Sequence, residues 1–444
     1  MSEGNYSALM RTLPKVSGDY RRDTDAFGRF WAQIADFLDR VPVRSGDWAA
    51  ARQAGHNTRE RFLAAHVEAV YRALTNDLGT FLRVEQLVLD AARVVPGLVP
   101  AAEALAAENA REQKAKRGLE IAHGIFLAHV LANPATGAHL CHAMLLPRRE
   151  ALERLDEFRS SGKIELPTAT IERRGRAAVV ILRNPRFLNA EDGTTLDDSE
   201  IAIDLATLDR GSDVAVLRGG VVEHAKYRGR PIFSAGINLT HLYRGKIPFV
   251  WYMQRDLGLV NKIFRGLARV DVSPDELYGA TIEKPWIAAV DGFAIGGGCQ
   301  LLLAMDYIVA ASDAYMTLPA RKEGIIPGAA NLRLPRFVGD RIARQAILYG
   351  RRLDCDTPEG RLICDEIAPP DGVAAAVDKV VAGLTDSGIV SAAGNRRALR
   401  VGQEPLDLFR RYMAVYAREQ AYCHFSPALI DNLERYWNAA QRQA

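Results

Sequence analysis

The chain has 444 residues, more than one ordinary core accommodates, so two or three structural regions are expected. With 48% hydrophobic and 25% charged residues it reads as globular, and 57 basic against 54 acidic residues, a net charge of +3, give no polyelectrolyte signal toward nucleic acid or an acidic membrane. Five cysteines (Cys141, Cys299, Cys355, Cys364, Cys423) without a Cys-x-x-Cys pair fit reduced thiols in a cytoplasm rather than a disulfide framework.

In chain order, the opening stretch MSEGNYSALMRTLPKVSGDYRRD lacks the apolar h-region of a secretory signal. Residues 1–165 are Ala-rich with helical periodicity and read as a helical N-terminal domain. In NTRERFLAAHVEAVYRAL, Asn57 and Glu60 have capping-box spacing, and Leu63, Val67, Val70 and Leu74 line one face. Residues 121–147 carry no Asp, Glu, Lys or Arg. Four histidines, Asn133 and Pro134 argue against a membrane span there, and a buried helix leading into a turn at NPATG is expected. Across 166–350, short apolar runs (AAVVILRNP, VAVLRGG, WIAAVDG, YIVAASD, AYMTLP) alternate with helical segments (TLDDSEIAIDLATL, GGCQLLLAM). That rhythm indicates an α/β layer architecture. Residues 351–444 turn helical again.

Two segments carry chemistry. DGFAIGGGCQLLLAMD (291–306) places three glycines between a strand and a helix. It is not G-x-G-x-x-G, and it lacks a subsequent Gly-Lys-Ser/Thr, so both phosphate-loop readings fail. Helix-start amides freed by glycine can instead donate to an oxyanion, and close helix–sheet packing predicts the same residues. RGRPIFSAGINLTHL (228–242) repeats the arrangement, an extended run entering a helix through Ser234-Ala235-Gly236.

NPRFLNA (184–190), FSAGINL (233–239), KPWIAAVDGFAIGGGCQLLLAMDYIVAA (284–311) and EGIIPGAANLRLPRFVG (323–339) together resemble the crotonase (enoyl-CoA hydratase/isomerase) superfamily, in family order over about 170 residues. The resemblance implies a ββα spiral core with a helical C-terminal oligomerisation region, and a homo-oligomer, a trimer or dimer of trimers. The N-terminal helices lie outside it. It implies that the backbone amides of Ile237 and Gly297 hold an acyl-CoA thioester oxygen, with Ala235, Gly236, Asn238, Leu239 and Gly296 around it. For CoA, the loop His224-Ala225-Lys226-Tyr227, with Arg228 and Arg230, forms a basic cluster that Arg183 and Arg186 extend.

The departures are as informative. Hydratases of the superfamily use two glutamates where this chain has Gln300 and Ala320. An amide accepts no proton and alanine offers no group, so water addition by paired carboxylates is not expected. With the long N-terminal helical region, LNAED and GGGCQ, this resembles one branch of the superfamily, cofactor-independent dioxygenases of glycopeptide-antibiotic pathways. The implied reaction turns 3,5-dihydroxyphenylacetyl-CoA and O2 into 3,5-dihydroxyphenylglyoxylate and CoA through an enolate. Ile237, Ile325, Ile326 and Pro327 would form an apolar O2 pocket. Glu191, Arg255 and Gln300 would face the ring and α-carbon, and Arg255→Ala is expected to impair turnover more than folding. No metal is expected: in His66-x-Glu68 the side chains at i and i+2 of a helix diverge, and His139-x-x-His142 beside Cys141 reads as core or loop. A CoA isomerase, a thioester hydrolase and a non-catalytic acyl-CoA scaffold remain as alternatives.

Overall fold

The computed structural model describes residues 3–277, 279–387 and 389–442. Two compact units emerge: one gathers Met1–Met144, Arg244–Val250 and Asp407–Pro427, the other Leu145–Tyr243, Trp251–Leu406 and Ala428–Ala444. The boundaries at 165 and 350 mark changes of rhythm along the chain, whereas these units reflect which residues pack together, so the C-terminal helices are shared between them.

The first unit is helical. Its longest helix, Gly46–Leu74, starts at Ser45, whose side chain accepts from the Trp48 amide. Asn57 and Glu60 therefore lie inside it and form no capping box. The residues before them, DWAAARQAGH, are good enough helix formers to carry the turn through, and Glu60 instead meets His129 at 2.6 Å and Arg418 at 2.9 Å. Phe27, Trp31 and Phe62 pack with ring centroids 5.5–5.8 Å apart. At NPATG the expected turn is a helix start. Asn133 ends Ile121–Ala132, and its Oδ1 accepts from the amides of Ala135 and Thr136, opening Pro134–Leu145. Asn before Pro both breaks one helix and caps the next. His66 bonds Asp23 at 2.7 Å while Glu68 pairs with Arg72 on an exposed face. His139 bonds Tyr71 and stacks on Phe81 beside buried Cys141.

The second unit is α/β. Its main sheet has the order β1 (Lys163–Glu165), β2 (Ala169–Arg174), β3 (Ala177–Leu182), β4 (Val214–Gly219), β5 (Trp286–Val290), β7 (Tyr307–Ala311), β10 (Glu366–Ala368). From β3 to β10 every pairing is parallel. AAVVIL, VAVL and WIAAV are almost wholly buried, as continuous apolar runs must be when both faces of a parallel sheet are covered. A smaller sheet joins β6 (Phe293–Ile295), β8 (Tyr315–Thr317) and β9 (Leu353–Asp354). Behind the sheet, the helix Val260–Arg265 is fixed by fully buried Lys262, which lies 2.8 Å from both Glu200 and Asp204. Among the described residues no helix is long and apolar enough to cross a membrane, and none of the five cysteines is disulfide-bonded.

Candidate active site

The two glycine turns lie side by side. Ser234 pairs in parallel with Ala294, and the Ile295 amide donates to the Ser234 carbonyl at 3.0 Å. At the same offset, Ile237 and Gly297 come next as the first residues beyond each turn. Ser234 Oγ locks the first turn, accepting from the Gly236 amide and donating to the Asn189 carbonyl, both at 3.0 Å. The Glu191 amide bonds Gly236 O at 2.7 Å and the Asn238 amide bonds Glu191 O at 2.8 Å. Parallel pairing uses the neighbours of Ile237 and leaves its own N–H over. Gly297 opens the helix Gly297–Leu302, where first-turn amides have no partner within the helix. Among the described residues neither amide donates a hydrogen bond. Gly236 has φ +77°, and a Cβ there would lie 2.5 Å from Ile295 O and 2.9 Å from the Gly297 nitrogen. Glycine at 236 is thus what keeps the second amide open.

NPRFLNA is a clasp. Asn189 Oδ1 accepts from the Asn184 amide, and its Nδ2 donates to Gly220 O and Ile232 O at 2.8 and 2.7 Å. It brings Glu191 beneath Gly297. Arg255, 3% exposed, grips that carboxylate with two bonds of 2.9 Å. Its Nη1 donates to Asp256 Oδ1 at 2.9 Å and Gln300 Oε1 at 2.8 Å, and its Nη2 to the Gly297 carbonyl at 2.9 Å. The five donors of a guanidinium are all committed inside the protein, and through them Arg255 holds the Gly297 turn. A β-carbon at Gly297 would lie 2.1 Å from Glu191 Oε2. The glycine there makes room for this ion pair. Gln300 obeys the same logic. Arg255 already faces two carboxylates, and an amide adds an acceptor without a third negative charge. Asp256 escaped the sequence reading because adjacent residues diverge on an ordinary helix. Here the five-residue segment Arg255–Leu259 forms a wide i→i+5 turn, a geometry that recurs at functional sites.

A cleft of about 590 Å³ runs past the Ile237 turn, lined among others by Arg186, His224, Tyr227, Ala235, Ile237, Asn238, Leu239 and Glu323. Its floor packs Val222, Ile232 and Phe293 against Leu188, Tyr227, Ala235 and Ile295. Ala225, Lys226, Arg228 and Arg230 are exposed on the loop outside the lining. Lys226 lies over the Tyr227 ring, and Arg230 pairs with Asp313 at 2.8 Å. Arg183 is exposed and bonds Thr170. Asn238 Nδ2 is held by Asp192 at 2.8 Å, which makes its side chain a brace of the turn. Gly296, φ +51°, caps the Gly297 helix. Ile325 and Ile326 are half-buried and Pro327 buried. A Cβ on Gly328 would lie 2.5 Å from Gln300 Oε1 and 2.8 Å from Asp256, so this turn abuts the Arg255 network instead of lining the cleft.

Glu323 was missed. It ends the one-turn helix Ala320–Glu323, is 4% exposed, and its pKa is pushed up to about 7 by burial. Ala320 drew attention as an absent carboxylate. Residues three apart share a helix face, and that spacing was the available signal. Among the described residues no three His, Cys, Asp or Glu side chains gather as a metal site.

Residues 172–410 match the family described as Enoyl-CoA hydratase/isomerase. A (3,5-dihydroxyphenyl)acetyl-CoA 1,2-dioxygenase from Amycolatopsis orientalis is 46% identical over 92% of this chain and 94% of its own length. A short-chain-enoyl-CoA hydratase from Clostridium acetobutylicum is 28% identical over 54% of this chain and 84% of its own. Among solved structures, an enoyl-CoA hydratase from Mycobacterium avium subsp. paratuberculosis superposes with a TM-score of 0.50 at 22% identity, covering 61% of this chain and 98% of that one.

Proposed function

The chain belongs to the enoyl-CoA hydratase/isomerase family, and we infer that within it the protein is a cofactor- and metal-independent dioxygenase. Its substrates are 3,5-dihydroxyphenylacetyl-CoA and O2, its products 3,5-dihydroxyphenylglyoxylate and CoA, in glycopeptide-antibiotic biosynthesis. The observation that carries the reading is the 46% identity, over almost the whole of both chains, to the dioxygenase from Amycolatopsis orientalis. The geometry agrees with it. The unpaired Ile237 amide belongs to a residue that lines a cleft, and the unpaired Gly297 amide lies beside the same Gly236 turn, while position 300 is an amide bonded to Arg255 and position 320 an alanine.

Removing an α-proton places negative charge on the thioester oxygen. Preorganised amides stabilise that charge, and one such donor is worth roughly 10²–10³ in rate. Conjugation with the dihydroxyphenyl ring makes the enolate electron-rich enough to pass one electron to O2. Recombination of the radical pair at the α-carbon gives a peroxide, which closes onto the thioester carbonyl and expels CoA thiolate. Loss of the second α-proton with O–O cleavage leaves the glyoxylate holding both oxygen atoms. Arg255, Glu191 and Gln300 act by fixing the Gly297 turn. Ile237 is the apolar group of the cleft available to O2, while the turn of Ile325, Ile326 and Pro327 abuts the Arg255 network. Arg186, His224 and Tyr227 line the cleft for CoA, with Lys226 at its mouth. The protein works as a cytoplasmic homo-oligomer.

An oxygen electrode tests this. Purified protein with 3,5-dihydroxyphenylacetyl-CoA and a chelator is expected to take up one O2 per CoA released. CoA release without O2 uptake would make the protein a hydrolase, and neither event would leave an acyl-CoA scaffold or isomerase.

A further inference from the structure

The dioxygenase reading leaves the α-proton without an acceptor. Glu191 is a poor choice: both its oxygens are taken by Arg255, and a bidentate guanidinium occupies the lone pairs a base would use. We propose that Glu323 is the base that takes the α-proton from the acyl-CoA.

Four observations support it. Glu323 lines the same cleft as Ile237, Ala235 and Asn238. It also approaches the other amide-bearing turn: a Cβ built on Gly296, the residue before the Gly297 amide, would lie 3.9 Å from Glu323 Oε1. An α-carbon is two bonds from the thioester oxygen, so a ligand whose oxygen is held by the two amides presents its α-hydrogens within reach of this carboxyl. Among the described residues no hydrogen bond or ion pair engages the Glu323 side chain, and burial is the only influence on its pKa. A carboxyl of pKa about 7 is matched to accept a proton near neutrality.

The fold holds it there. The Gly324 amide closes the turn on the Ala320 carbonyl at 2.8 Å. Two side chains of the helix Pro427–Trp437 and its end bind the turn from outside, Asn432 Nδ2 at the Arg321 carbonyl and Trp437 Nε1 at the Lys322 carbonyl. A Cβ on Gly324 would lie 3.0 Å from Leu429 Cα, so that helix seals the turn without touching the carboxyl. The step balances. The Glu323 carboxylate gains the proton and becomes neutral, and the C–H electron pair moves into the enolate, its charge on the oxygen facing Ile237 and Gly297. The departing CoA thiolate then recovers the proton.

The assignment rests on the acyl-CoA reading but not on O2, and the experiment separates the two. Under anaerobic conditions in D2O, the wild-type protein is expected to exchange the α-hydrogens of 3,5-dihydroxyphenylacetyl-CoA, as monitored by proton NMR. Glu323→Gln is expected to slow exchange by about 10²–10⁴-fold while binding the substrate within a few-fold of wild type. Glu323→Asp, which keeps a retracted carboxylate, should recover part of the rate and covers the case in which the glutamine variant folds poorly. Near-wild-type exchange in Glu323→Gln overturns the assignment and leaves the dioxygenase reading intact. Exchange by wild type without aerobic O2 uptake overturns that reading, and exchange lost in the glutamine variant still supports Glu323.

Discussion

Two buried glutamates stand on either side of the Gly296–Gly297 turn, and their surroundings give them opposite chemistry. Glu191 is gripped by Arg255 in a network where the guanidinium also holds Asp256, Gln300 and the Gly297 carbonyl. Glu323 is as deeply buried, with an open cleft before it and, among the described residues, no ion pair with a cation. Residue type and burial do not decide whether a carboxyl serves as a brace or as a base. The neighbouring groups do: a carboxylate bonded on both oxygens by a guanidinium is spent as a brace, whereas burial without a partner drives the Glu323 carboxyl toward the neutral acid.

Breaking the paired side should have the largest effect. Arg255→Ala leaves Glu191 and Asp256 as uncompensated buried charges and is expected to cost about 3–5 kcal/mol in urea unfolding. Measuring turnover in the same variant checks the sequence-based expectation that turnover suffers more than folding. Adding Glu191→Gln to that variant should restore part of the loss, and strictly additive effects would show that the pair is not coupled. On the unpaired side the sign inverts. Glu323 ionises near pH 7 instead of 4.5, so the stability its protonated form allows is complete below pH 4.5 and is lost as pH rises to 7. Glu323→Gln should therefore stabilise the protein by up to about 3 kcal/mol at pH 8 and by much less at pH 5. An equal gain at both pH values would mean the carboxyl is not forced to ionise in an apolar site. Gln300→Glu adds a third carboxylate beside one guanidinium. It should destabilise by about 1–2 kcal/mol at pH 8 and less at pH 5. Outside both networks, the exposed Arg186→Ala should raise KM for the acyl-CoA only a few-fold, the scale of a solvent-screened ion pair.

The strands of the second unit were legible because continuous apolar runs such as WIAAV have one stable home, the interior of a parallel sheet. Ile237, Gly297, Arg255, Gln300 and Glu191 were all singled out from sequence, and the structure gathers them around one turn. What could not be read was their division of labour. Arg255 lies 64 positions from Glu191 and 45 from Gln300, so only the tertiary fold shows that its donors are spent on the protein. Asp256 was hidden because the rule of divergent neighbours assumes a regular helix. Glu323 was hidden because the position at which hydratases carry a glutamate is Ala320, and only the one-turn helix Ala320–Glu323 brings a carboxyl three residues later to the cleft. In the helical unit the Asn57 error has another source: a capping-box spacing marks a helix start only where the chain before it is not already helical.

The wide turn at Arg255–Leu259 carries one residue more than an α-helical turn would hold. Deleting a single residue there would not break the rod, since the segment can close up as ordinary helix. The flanking turns would keep their faces, but inside the closed segment adjacent side chains diverge by about 100°, so Arg255 and Asp256 would no longer turn to the same side. With Lys262 anchored to Glu200 and Asp204, the guanidinium would be carried off its carboxylate. A helix intact by circular dichroism, in a protein with a dead centre, is the signature of that lost register.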